Sequence, residues 1–236
     1  SLPLTHELVS EYNYLENPKQ SGYRSTHLVY RYKSRSPSPY DGLQLEIQLR
    51  TRLQHSWATA VETMGTFLKH PLKSSEGPEE WLKFFALAGN AFTYLEGTPQ
   101  IPGFEQYSPN EIYQQVEQEA NRLRIRAMLL GYSSAVKEIA PSTRTSAFYL
   151  VQLNVDDQEK TVSITPFAKD QLEKANTEYA EAEKSASKTG NQVVLVSAGS
   201  IESLKRAYPN YFLDTHEFLS NLGLVEQAAA KLRENG

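Results

Sequence analysis

The chain has 236 residues, 22% charged and 39% hydrophobic, enough for one large domain or two modest ones, each with its own core. Its 28 acidic residues outnumber 24 basic ones, giving a formal net charge of -4, so nucleic-acid binding has to come from a local basic patch. The absence of cysteine excludes disulfides and thiolate-ligated zinc and fits a reducing cytoplasm, and no apolar run reaches bilayer length, so no membrane partner is expected.

The opening SLPLTHEL has no initiator Met, basic n-region or apolar h-region, which predicts no signal peptide and suggests a cut chain. Residues 1 to 20 read as polar and irregular. From Ser21 the pattern turns strand-like, with Leu28, Tyr30 and Tyr32 alternating with Val29 and Arg31, and the basic YKSRSPSPYDG follows as a loop closed by a turn. In GLQLEIQLRT, Leu43, Leu45, Ile47 and Leu49 share one strand face, expected to be core, and Gln44, Glu46, Gln48 and Arg50 share the other. Thr51 is placed to cap the helix RLQHSWATAVETMG, which carries His55, Trp57, Ala58 and Val61 in its first turns.

Residues 78 to 135 read as two helices, PEEWLKFFALAGNAFTYLEG and SPNEIYQQVEQEANRLRIRAMLLGY, expected to act as a connector, with Ser108 and Glu111 at capping-box spacing. From Ala147 the period returns to two in AFYLVQLNVDD and KTVSITPF, a hairpin around Asp156, Asp157 and Gln158. The charged helix KDQLEKANTEYAEAEKSA, the turn KTGN and the buried-looking strand QVVLVSAGS follow. A short helix, the segment YPNYFLD and one or two terminal helices complete the chain. The fold class is α+β, a mixed α/β chain, with no internal repeat.

Several polar residues stand where chemistry can be done. Glu46 is an acid on a polar strand face beside Gln44, Gln48 and Arg50, a setting that holds a cation or a hydroxyl, or else is a surface strand of mixed charge. Tyr23 follows Gly22 at the mouth of the other strand, where its ring can stack on a base or simply pack a turn. His27 and His55 can contact phosphate, orient a hydroxyl or serve structure, and neither has metal-ligand spacing to other candidates.

The order GYRSTHL, a basic loop, LEIQLRT and then QHSWA closely resembles the RelA/SpoT nucleotide pyrophosphotransferase family over about residues 18 to 66. The resemblance implies transfer of pyrophosphate from ATP, with Mg2+, to a nucleotide 3'-hydroxyl. It gives Tyr23 the stacking contact with the acceptor base and Glu46 the place beside the magnesium and the hydroxyl. Arg24, His27, Gln48, Arg50 and His55 fall on positions that line or buttress the acceptor pocket. In the family the ATP site and a second magnesium-binding aspartate precede the glycine-tyrosine loop, so this chain is expected to hold the acceptor half and to be inactive alone. The chemistry suits charge neutralisation and in-line positioning more than covalent work by the protein.

The expected units are residues 1–70, the acceptor part of a synthetase domain; 71–146, a helical linker; and 147–236, a small α/β unit. Lys19, Arg31, Lys33, Arg35 and Arg52 surround the candidate pocket, suited to a nucleic-acid backbone or to the phosphates of GDP or GTP. The tail with its YPNY segment resembles the pseudo-zinc-finger antitoxin of CapRel-type fused toxin-antitoxins. That resemblance implies a tRNA CCA end as acceptor, Tyr208 and Tyr211 as an inhibitory pair, and a phage capsid protein as trigger. An alarmone synthetase with a regulatory tail and a non-catalytic binding module are the competing expectations.

Overall fold

Two three-stranded antiparallel sheets and seven α-helices make up the described residues of the computed structural model, 6–142, 146–154, 161–189, 191–207, 209 and 211–234. The first sheet has the order β1 (Glu7–Asn13), β2 (Thr26–Arg31), β3 (Gln44–Leu49). β1 lies in the stretch expected to be irregular. Its register slips between Leu8, paired with Tyr30, and Ser10, paired with Val29, and this bulge at Val9 breaks the alternation by which a strand is recognised.

Pairing of β2 with β3 sets His27 opposite Gln48 and Val29 opposite Glu46, while Leu28 faces Ile47 and Tyr30 faces Leu45. The sheet therefore has the polar and apolar faces that the alternation predicts. The apolar face is not core, however: Leu45, Ile47 and Leu49 are 44%, 43% and 52% exposed.

Thr51 caps α1 (Arg52–Leu68) as expected, in a reciprocal capping box with Gln54. The helix buries Trp57, Ala58, Val61, Met64 and Phe67. The expected connector proves to be the centre of the molecule. α2 (Glu79–Glu96) buries Phe84, Leu87 and Phe92 completely. Beyond it, the helix expected to run from Ser108 past residue 130 is two helices, α3 (Pro109–Arg122), with its Ser108–Glu111 capping box, and α4 (Ile125–Ser142). Arg124, at φ 51°, takes the left-handed conformation that no helix interior accepts and separates them.

The second sheet has the order β5-β4-β6, with β4 (Ser146–Asn154) and β5 (Thr161–Ala168) forming the expected hairpin. Its turn, Asp156 to Gln158, lies outside the described residues. After α5 (Leu172–Thr189) come β6 (Gln192–Ser197), α6 (Ala198–Ala207) and one long α7 (Tyr211–Glu234). Tyr149, Val151 and Leu153 of β4, Val194 and Val196 of β6, and Phe218, Leu222 and Val225 of α7 share one hydrophobic cluster with Trp57, Phe84 and Phe92. The Phe92 and Phe218 rings meet edge to face at 5.6 Å. The three expected units thus rest on one core, to which each buried large apolar side chain contributes about 1.5–3 kcal/mol. None of the described helices is long and apolar enough to cross a membrane.

Candidate functional site

The site begins at a close approach of backbones. Gly22 has φ +91°, and a Cβ there would lie 2.9 Å from the carbonyl oxygen of Phe85 and 3.1 Å from the Trp57 ring; one on Gly89 would lie 2.8 Å from the Gly22 Cα. The loop is therefore pressed onto α2 and α1, and the Trp57 indole N–H donates to that same Phe85 oxygen at 2.9 Å. The next residue, Tyr23, is only 6% exposed, its ring in edge contact with Tyr14, His27 and Trp57.

Five side chains from the loop, β2, β3 and the residue after β3 close into a ring of hydrogen bonds. An Arg50 guanidinium N–H donates to the Tyr23 hydroxyl at 3.1 Å, and this hydroxyl lies 2.8 Å from His27 Nε2. His27 Nδ1 lies 2.5 Å from Glu46 Oε1. A carboxylate against Nδ1 selects the tautomer with its proton there, leaving Nε2 to accept from Tyr23. The Gln48 amide donates to Glu46 Oε2 at 3.0 Å, and the same guanidinium nitrogen of Arg50 donates to Gln48 Oε1, which closes the ring. Its geometry follows from strand period: Glu46, Gln48 and Arg50 are two residues apart, and β2 presents His27 opposite Gln48.

Both branches of the ring donate toward Glu46. The Gln48 hydrogen bond is the largest influence and lowers its pKa; burial, the next, opposes it, and the hydrogen bond and charge of His27 and the charge of Arg50 add to the lowering, so the carboxyl lies below the ordinary range. Glu46 is thus a carboxylate at neutral pH, and its side chain is still 46% exposed. It can accept a hydrogen bond from a hydroxyl or offer one oxygen ligand to a hard cation. The fit to magnesium is that of a single carboxylate: among the described residues no group of three acidic, His or Cys side chains forms a metal site. A cation that keeps its waters and leans on substrate phosphates is bound in just this way.

The other expected site residues are spread more widely. Arg24 is turned inward, 3% exposed, its guanidinium on Glu96 at 2.5 Å and on Thr98 at 3.0 Å. Desolvation pulls its pKa down against the attraction of Glu96. Glu96 also accepts from the Thr51 hydroxyl and the Gln54 amide, so this pair ties the end of α2 to the start of α1. The Tyr23 ring, expected to stack on a base, lies beneath Lys19 and Arg50, each 5.5 Å from its centroid, and only its hydroxyl joins the ring of hydrogen bonds. Lys19 also lies 4.6 Å over Tyr14. Arg31 faces Glu7 at 3.9 Å on the surface, and Lys33 and Arg35 belong to the loop before β3. Tyr208 lies outside the described residues, and Tyr211 opens α7.

His55 and Arg52 project from the first turns of α1 into a cavity of about 450 Å3 that Gln48 and Arg50 also line. Its far wall comes from α7: Asp214 accepts from His55 Nε2 at 3.1 Å, and Glu217 sits 3.5 Å from Arg52. Neither acid was expected from the sequence; the one signal was their three-residue spacing just after YPNYFL.

Residues 4–66 match the family model described as "Region found in RelA / SpoT proteins". The match takes in the first sheet, the whole hydrogen-bonded ring and nearly all of α1. RelA/SpoT synthetases are pyrophosphokinases that use ATP and Mg2+, which supports a transferase role for this segment. No curated protein matches the chain.

Proposed function

We propose that this chain carries the acceptor side of an ATP-dependent pyrophosphotransferase. The observation that carries the proposal is the ring around Glu46, built wholly within residues that match the RelA/SpoT family model. In the reaction the acceptor 3'-oxygen bonds to the β-phosphorus of ATP, the bond from that phosphorus to the bridging α-phosphate oxygen breaks, AMP leaves with that oxygen and the hydroxyl proton passes to solvent water. Glu46, ionised well below neutral pH, is too weak a base to store that proton for long and is suited to aligning the hydroxyl by accepting its hydrogen bond. His27 and Gln48 fix the carboxylate so that it need not reorganise as charge develops, and Arg50 and Tyr23 fix them in turn. Magnesium, when bound, supplies neutralisation of the phosphate charge, with Glu46 as this chain's ligand to it.

The acceptor we favour is the CCA end of tRNA, and the tail is read as an antitoxin that responds to a phage capsid protein. Supporting this finer reading are Lys19, Arg50 and Arg52 beside the site and the contact of α7 with His55 and Arg52, which brings the tail to the pocket itself. The test is transfer of label from the β- and γ-phosphates of ATP by the full-length protein with magnesium, offered tRNA, GDP, GTP and AMP in parallel. Label is expected on the tRNA 3' end, with Glu46→Gln reducing the rate by about a hundredfold or more. Label on a mononucleotide alone would make the protein an alarmone synthetase. Full activity of Glu46→Gln, or no label on any acceptor, would overturn the proposal.

A further inference from the structure

The cavity between β3, α1 and α7 has walls of opposite charge. On one side stand Arg50 and Arg52, with His55 and the N-terminal turn of α1; on the other stand Asp214 and Glu217. Asp214 is held closely: its side chain is 18% exposed, bonded to His55 and reached by the Thr59 hydroxyl at 3.5 Å. The outer pair is loose, since the Arg52 side chain is 89% exposed and meets Glu217 at 3.5 Å, a geometry in which an ion pair contributes little and is easily exchanged. Two arginines beside a Gln-lined opening next to Glu46 are a natural seat for phosphate oxygens. As the chain stands, that seat already faces two carboxylates.

We propose that Asp214 and Glu217 are internal competitors for an anion site formed by Arg50, Arg52 and His55, and that the ligand of this site is a phosphate group of the nucleotide acceptor. The inference rests on the reading of the Glu46 face as an acceptor site. A phosphate entering the cavity exchanges with the α7 carboxylates, and the first turn of α7 must yield to it. The C-terminal helix therefore sets the affinity of the acceptor pocket for charge: two acids close to the ligand repel each phosphate that Arg50 and Arg52 attract. An acceptor that brings its ribose without a terminal polyphosphate suffers least from this wall.

The test measures binding of inorganic pyrophosphate to the full chain by titration calorimetry at low salt. Glu217→Gln, on the loose outer pair, is expected to bind pyrophosphate about fivefold more tightly than the wild type, and Asp214→Asn at least as much. The gain should vanish when Arg52→Ala is added to Glu217→Gln. Glu80→Gln removes the same charge near the opposite end of α2, ~24 Å along the helix from Glu96, and should leave the affinity unchanged. Absence of tighter binding in both acid variants overturns the proposal, as does a gain that survives Arg52→Ala or appears equally in Glu80→Gln. In parallel, GDP and a short RNA ending in CCA show which source of phosphate enters: a gain for either supports the assignment, and a gain for neither overturns the link to the acceptor. Pyrophosphate binding does not depend on catalysis. A tighter Glu217→Gln variant in a protein that labels no acceptor would therefore sink the proposed function and leave the anion site standing.

Discussion

The two sheets are built alike and buried differently. Each has three antiparallel strands, and the central strand of each carries consecutive apolar residues, Leu28 to Tyr30 in β2 and Ala147 to Val151 in β4. In the second sheet both faces are covered: Tyr149, Val151 and Leu153 enter the main core, while Leu150 joins Phe167, Ala175 and Leu195 beneath α5. In the first sheet every residue of β3 is exposed on both faces. One sheet serves stability. The other leaves its polar face open to hold five hydrogen-bonded side chains and its apolar face uncovered, so a site is displayed where the scaffold contributes least burial.

Paired truncations put that contrast to its hardest test. Leu150→Ala removes a fully buried side chain and should cost about 2–5 kcal/mol, read as a lower urea midpoint at unchanged slope. Ile47→Ala, at 43% exposure, should change stability by no more than about 0.5 kcal/mol. Equal losses would mean that the apolar face of the first sheet is covered in solution.

Gly22→Ala tests how the exposed sheet is tied to the core. The left-handed backbone at Gly22 disfavours any side chain by about 1–3 kcal/mol, and here the new methyl also meets the Phe85 carbonyl. A loss of at least that size is expected, together with weaker near-UV circular dichroism as Tyr23 leaves its place beside Trp57. A neutral effect would show that the loop does not press on α2.

How much of this was visible in the sequence depended on distance along the chain. The β3 strand, the Thr51 cap and the acids and amides of the ring are local patterns of period two or three, and they were readable. The pairing of Tyr23 with His27 was not read, although the two stand only four residues apart. β1 was hidden because its bulge destroys the alternation, and the break at Arg124 because RLRIRAM contains neither Gly nor Pro. That α2 is core rather than connector, or that the leucines of β3 stay exposed, is decided by what packs against them. Arg24 was read as a ligand residue because its partner Glu96 lies 72 positions away, and Asp214 stands 159 residues from His55. Such partners leave no mark on the local pattern.

A smaller effect is expected at the junction of sheet and core. Thr51→Ala deletes the cap of α1, leaving the Gln54 N–H and one oxygen of Glu96 without their hydroxyl partner, at a cost of about 1 kcal/mol in urea unfolding. Thr51→Ser should restore most of it, since serine supplies the same oxygen. Failure of serine to do so would assign the loss to the threonine methyl and not to the cap.

The finest distinction between the sheets is electrostatic, and Gln48→Leu isolates it. Among the influences lowering the Glu46 pKa the Gln48 hydrogen bond is the largest, and the leucine replaces an exposed amide without touching the core. A carboxyl with a lowered folded pKa contributes stability above its unfolded value and loses it as the pH falls through the folded one. In the variant Glu46 should therefore take up its proton at higher pH than in the wild type, closer to an ordinary glutamate, and any acceptor transfer should acquire an acid limb displaced the same way. Carboxyl carbon chemical shifts followed by NMR against pH read this directly, even in a protein that transfers nothing. The remaining partner, His27, still lowers the pKa, so the displacement should be partial. Adding His27→Phe should carry it further, because the ring then retains only the charge of Arg50. An unchanged titration in Gln48→Leu would show that the ring is not closed in solution, and the exposed sheet would then present five separate polar side chains instead of one prearranged carboxylate.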